Sequence, residues 1–257
     1  MFSLRKKLEK RDLETLDLFT ISFSLFKSNF INFLYISMIC SLPIILISAY
    51  YPKPIFNYSK METIDDIINF FRNEVDATFY INLLLSWFLD IISIVSISLL
   101  VESLIYKKIK SATWAIKKSF KIFIPALITS FIYLLLVFFG FIFFIVPGIF
   151  LIVLFLFYQN ICALRHTWGI EAFKYSYNLI KSKFFKALFI ISFIFLFENV
   201  FVISFLPNKI DTREEILYYF ISMILLNIFN TYFKVILTLF FLNRDFVINN
   251  NIENNDN

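Results

Sequence analysis

The chain has 257 residues, 60% of them hydrophobic and 21% aromatic, with 37 Phe, only three Gly and a formal net charge of +5. A mean hydropathy of +0.78 excludes an ordinary soluble domain, in which about half the residues are apolar. Several stretches exceed the roughly 18 apolar residues that mark a membrane-spanning candidate, so an all-α, multi-pass integral membrane protein is expected.

In chain order, residues 1–15 form a charged N-terminal segment. Its charges continue to Asp17 and no small-residue cleavage site follows the first apolar stretch, so no signal peptide is expected. A six-span membrane domain then occupies 16–243. Span one covers about Asn32–Tyr50 and span two about Tyr80–Tyr106. The loop between them, Tyr51–Phe79, places Ile64, Ile67, Ile68 and Phe71 at helical spacing after an acidic start, which predicts a short surface helix. The apolar run Ile122–Leu164 would reach about 64 Å as one helix, twice the hydrocarbon thickness of a bilayer. It is therefore read as two antiparallel spans joined by a tight outer turn at Pro147-Gly148, where proline disfavours helix before it and glycine accepts unusual backbone angles. Span five covers about Ala187–Leu206 and span six about Ile216–Leu242. The tail, 244–257, is polar and low in complexity and is expected to be disordered.

Charge orients these spans. Of the 24 Lys and Arg, 18 fall on the side that carries both termini and only five on the other, with Lys234 inside span six. Excess Lys and Arg mark the cytoplasmic side, which puts both termini in the cytoplasm of a bacterial plasma membrane. The bacterial assignment is an association, from a Phe-, Ile-, Lys- and Asn-rich composition.

Internal similarity is also visible. FTISFSLFKSNFINFLYI from Phe19 aligns with FKYSYNLIKSKFFKALFI from Phe173 at an offset of 154, matching Ser22/Ser176, Lys27/Lys181 and Ser28/Ser182 among others. AIKKSFKIFIPAL, from Ala115, joins more weakly at an offset of 97. Each segment is apolar at i, i+4, i+7 and i+11: Phe19, Phe23, Phe26, Phe30; Ile116, Phe120, Phe123, Leu127; Phe173, Tyr177, Ile180, Phe184. The expected unit is a cytoplasmic interfacial amphipathic helix followed by a transmembrane hairpin, three times over. Lys27, Lys117, Lys118, Lys121, Lys174 and Lys181 either contact anionic lipid headgroups or simply enforce topology.

Three stretches carry a family resemblance: SFSLFKSNF (Ser22–Phe30), GFIFFIVPGIFL (Gly140–Leu151) and EAFKYSYNLIKSKFFKAL (Glu171–Leu188). With them the chain, from about Leu16 to Leu242, resembles bacterial six-span membrane proteins related to the membrane domain of glycerophosphoryl diester phosphodiesterase, and similar uncharacterised families. The resemblance implies a six-helix membrane domain and no phosphodiesterase chemistry, which in that family belongs to a separate soluble domain.

Ionisable residues within spans are costly, about 2.5–3.5 kcal/mol each on insertion scales, and face the bundle interior or water. Glu198 and Lys234, on consecutive antiparallel spans, could pair, with Asn227 and Asn230 about one turn from Lys234. Such a group is either an ion or substrate path or a structural ion pair, and the structural pair is the simpler reading. Asp90, with Ser86 and Ser93 on the same face and no partner evident, is the better functional candidate. A protonated, hydrogen-bonded Asp90 is the alternative. Glu102, one turn from the cytoplasmic end, is expected to reach water. His166, the only histidine, reads as an interfacial side chain beside Trp168. Cys40 and Cys162 read as packing residues, without disulfide or metal. No acid, base and nucleophile constellation stands out, and three glycines at 140, 148 and 169 cannot build a phosphate loop. The expected function is non-enzymatic and cofactor-free, in envelope or lipid homeostasis or as an accessory subunit. Alternatives are an ABC-type permease component with an ATPase partner, or immunity against a membrane-active peptide.

Overall fold

The computed structural model describes residues 2–50, 77–108, 110–206 and 212–255, with isolated positions between 63 and 75. The surface helix expected in the Tyr51–Phe79 loop lies largely outside these residues. The described residues are all-helical, without a strand: α1 Phe2–Lys10, α2 Thr15–Ser28, α3 Phe30–Tyr50, α4 Ala77–Ile105, α5 Ala112–Phe143, α6 Ile145–Leu154, α7 Tyr158–Arg165, α8 Ile170–Ile180, α9 Phe184–Phe205 and α10 Arg213–Asn255. A 3₁₀ turn, Lys181–Lys183, joins α8 to α9. Six stretches of 19 to 37 residues are long and apolar enough to cross a membrane.

The run 122–164 does double back, but its pivot is Phe144. That residue is extended (φ −163°, ψ 153°) between α5 and α6, so the reversal precedes the expected Pro147-Gly148 turn. Pro147 sits instead in the first turn of α6, where a missing N–H has no intrahelical acceptor to lose. Gly148 serves close packing. A Cβ on Gly140 would come within 3.0 Å of the Gly148 Cα, and one on Gly148 within 2.6 Å of the Phe141 ring. The hairpin is thus clamped by two glycines, one from each arm.

The returning arm is broken at Phe155–Phe157, which hydropathy does not reveal. Ser176 of α8 enters the break: its Oγ–H donates to the Leu154 carbonyl (2.8 Å), and its oxygen accepts from the Phe157 N–H (3.1 Å). Backbone groups freed in an apolar setting need such a partner.

The helices preceding spans bury part of the apolar face read from periodicity, Phe26, Phe173 and Ile180, together with a row of small and aliphatic residues. Buried positions are Leu18, Ser22, Leu25; Ala115, Ser119, Ile122; and Ala172, Ser176, Leu179. Phe23, Phe120 and Tyr177, on the same apolar faces, are 57%, 60% and 45% exposed. In a lipid surrounding, bulky apolar side chains lose nothing by facing out, while a small Ser packs closely inside and can bond a backbone carbonyl. Ser119 donates to the Ile116 carbonyl at 2.7 Å in this way. In the middle segment the leading helix is not separate: α5 runs through it without a break.

The core lies toward the end of the bundle where the chain termini meet. From Ile91 onward α4 is almost wholly buried, as are most of α7 and the stretch of α10 from Thr231 to Phe246. Here the expected disordered tail fails. Helix α10 continues through Asn255, and Arg244 and Asp245 are buried. Arg244 donates to the Leu179 carbonyl (3.0 Å), Ser182 Oγ (2.8 Å) and Asp12. Asn243 donates to the Leu8 and Arg11 carbonyls and accepts from the Leu13 N–H. The N-terminal segment therefore folds onto α10 through a satisfied polar network, which polarity of composition alone does not predict.

Candidate functional site

Asp90, Glu198, Lys234, Asn227 and Asn230, the five intramembrane candidates, line one cavity of about 440 Å³. Four helices build it. α3 and α4 pack on each other and on α10, α9 packs on α10, and α10 is the wall common to both halves. The cavity sits where the buried half of α4 begins: Asp90 is followed directly by Ile91 and Ile92, both buried.

The ion pair differs from the expected one. Lys234 Nζ donates to Asp90 Oδ1 at 2.6 Å and to Ser93 Oγ at 3.0 Å, so its partner is on α4, not Glu198 on α9. Chain adjacency of spans five and six suggested Glu198, but helix rotation decides: the Lys234 side of α10 faces α4. Asp90 is consequently neither lone nor buried. Its side chain is 52% exposed, while that of Lys234 is 18% exposed. Among the described residues Glu198 makes no ion pair and no hydrogen bond, and it is half-buried.

The two asparagines separate in role. Asn227 donates to Ser37 Oγ (2.5 Å) and Ser41 Oγ (2.6 Å), tying α10 to α3. Asn230 turns into the cavity lining, and its Oδ1 is buried without a hydrogen-bond partner. Apolar side chains, among them Ile44, Leu89, Ile194 and Phe233, complete the lining of this partly open cavity.

Toward the termini a neutral polar rung follows: Asn160 of α7 donates to Ser98 Oγ (2.9 Å) and Thr238 Oγ1 (3.1 Å). Beyond it lies a second charged layer. Arg165 donates to Glu102 at 2.9 Å and to Asp245, and Asp245 also accepts from the Tyr175 hydroxyl at 2.5 Å. Glu102 thus reaches Arg165 instead of extending alone to water. On both α4 and α10 this layer lies about 17 Å from the cavity charges, at 1.5 Å per residue. Asp12 belongs to the adjoining network, with Arg244 and with Lys183 at 3.0 Å. Burial pushes its carboxyl up, but hydrogen bonds from Arg244 and Lys183 outweigh that and hold it below the ordinary value. Sequence reading missed Asp12, Arg165, Arg244 and Asp245. For Arg165, Arg244 and Asp245 the only signal was a charge at the very end of an apolar run, and Asp12 lay unmarked among the charges of the N-terminal segment.

Of the lysines assigned to headgroups, Lys27, Lys117, Lys121, Lys174 and Lys181 are exposed and Lys118 is half-buried. Lys118 lies over the Trp114 ring at 5.3 Å and Lys174 pairs with Glu171 at 2.8 Å. His166 caps α7 in the left-handed region (φ 55°). Cys40 and Cys162 are buried free thiols. The described residues hold no group of three or more His, Cys, Asp or Glu placed to bind a metal. No family model matches the chain, and no curated protein or solved structure is significantly similar to it.

Proposed function

We infer that this chain is a non-enzymatic, six-span protein of the bacterial plasma membrane, with both termini cytoplasmic, that handles lipid or another amphipathic molecule through its central cavity. The observation that carries the reading is the cavity itself: a mostly apolar chamber whose lining also holds an ion pair, a second carboxylate and an unpartnered amide oxygen. Charges between spans are expensive and persist where they are paired or serve a ligand. A chamber of this size with apolar walls and a few convergent polar groups has the character of a small-molecule site.

A threefold repeat of interfacial helix plus hairpin accompanies this reading. It is supported by the burial of Ser22, Ser119 and Ser176 at matching offsets, and by α3 and α9 starting 154 residues apart, at Phe30 and Phe184. The resemblance to phosphodiesterase-related membrane domains agrees with it, and exposed lysines on these helices suit an anionic headgroup layer. Membership of a transporter is the second reading, favoured by the Ser98–Asn160–Thr238 rung between the cavity and the terminal face.

Native mass spectrometry of the protein purified gently from its own membrane tests both. Retained lipid that is lost when Ser86→Phe fills the cavity supports lipid handling. Lipid retention unaffected by Ser86→Phe sinks that reading, and a co-purifying ATPase moves the chain to the transport reading.

A further inference from the structure

Resting on that reading of the cavity, we propose that its ligand is an organic ammonium ion, and that Glu198 and Asn230 are the groups that hold it. The lining contains two carboxylates and one ammonium. Lys234 and Asp90 satisfy each other at 2.6 Å, and Ser93 takes a further Lys234 proton. What remains is acceptor capacity: the Glu198 carboxylate, which has no donor among the described residues, and Asn230 Oδ1, buried with none. A buried acceptor without a donor carries a desolvation penalty, and an unpaired charge carries a larger one. The occupant that relieves both supplies one positive charge together with N–H donors.

A primary ammonium does so, because its three N–H groups are all donors. An inorganic cation fits less well. Calcium and magnesium take about six or more oxygens converging at 2.0–2.6 Å, whereas this chamber is about 440 Å³. Its walls include Ile44, Leu89, Ile194 and Phe233, which suit the carbon chain attached to an amine. The ammonium therefore sits between Glu198 and Asn230, with its carbon stem against the walls, while Lys234 stays committed to Asp90. Two sources share this chemistry: the ethanolamine headgroup of a phospholipid, and a free alkylamine.

The test is native mass spectrometry of the full chain in detergent, titrated with phosphatidylethanolamine, phosphatidylcholine, phosphatidylglycerol or butylamine. Phosphatidylcholine is charged but has no N–H, and phosphatidylglycerol has no amine. Expected is a preference for phosphatidylethanolamine over both of roughly tenfold or more, as for a hydrogen bond to a charged group. Glu198→Gln should abolish that preference and Asn230→Ala weaken it, each with an unchanged melting temperature. Butylamine bound with the same sensitivity to Glu198→Gln, without lipid selectivity, keeps the ammonium site and identifies a soluble amine as its source. Equal binding of all three lipids overturns the ammonium assignment but leaves the cavity as a lipid site. Failure of every probe to bind overturns the ammonium site and the cavity reading together.

Discussion

Two charged layers cross the bundle about 17 Å apart, and they differ in one respect. In the layer nearer the termini the acids and bases answer one another: Arg165 bridges Glu102 and Asp245, and Arg244 with Lys183 answers Asp12. In the cavity layer Asp90 and Lys234 are paired, and Glu198 is left over. The first layer is a fastening. It ties α7, α8 and the N-terminal segment to the end of α10, deep in the core. The second is half-exposed and incomplete, which is the condition of a site awaiting something. Charge between helices is thus not one phenomenon in this protein, and completeness of pairing separates the two uses.

Substitutions should expose the contrast. The largest effect is expected for Asp245→Ala. Its side chain is 1% exposed and it is the shared acceptor of Arg165 and Tyr175, so removing it takes a charge-assisted hydrogen bond from each, at about 3–5 kcal/mol together. Thermal unfolding in detergent measures the loss, and a shift no larger than that of an exposed control such as Lys174→Ala would break the fastening assignment.

Next in size is Asp12→Asn, which removes a charged hydrogen bond from Arg244, whose side chain is only 5% exposed, at about 1.5–3 kcal/mol. This variant also has a pH signature. Because the folded protein holds the Asp12 carboxyl below its ordinary value, its contribution is present above the unfolded value of about 3.9 and disappears as pH falls through the folded one. Stability of the parent protein should therefore drop in acid more steeply than that of Asp12→Asn. Parallel pH profiles for the two would contradict the network.

Smaller still is Asp90→Asn, expected to cost about 1 kcal/mol because the amide oxygen can still accept from Lys234 and only the charge is lost. Smallest is Glu198→Gln, with a stability change near zero or slightly favourable, since it removes an unpaired charge and breaks no bond. A melting curve for Glu198→Gln as depressed as that of Asp245→Ala would erase the distinction between the layers.

Much of this was legible from the sequence for physical reasons. Helix count and span limits follow from hydrophobic length, and the reversal within 122–164 follows from a run too long for one crossing. The cavity residues Asp90, Glu198, Lys234, Asn227 and Asn230 were visible because polar side chains inside apolar runs are rare enough to stand out. Their pairing was not visible, since it depends on helix rotation. The apolar faces of α2, the start of α5 and α8 were legible from periodicity, but their division was not: Phe26, Phe173 and Ile180 are buried, while Phe23, Phe120 and Tyr177 point outward.

The sequence by itself determined a helical chain with six stretches long and apolar enough to cross a membrane, and which polar residues interrupt them, because one-dimensional hydropathy reports transfer cost residue by residue. Only the tertiary structure decided which of those polar residues meet. It joined Lys234 to Asp90 across 144 positions, Arg165 to Asp245 across 80 and Arg244 to Asp12 across 232. It also set Ser176 into the break after Leu154 and turned the last charges of the chain inward. Such partnerships are made by helix rotation and crossing, which packing of the whole bundle fixes and no local stretch encodes.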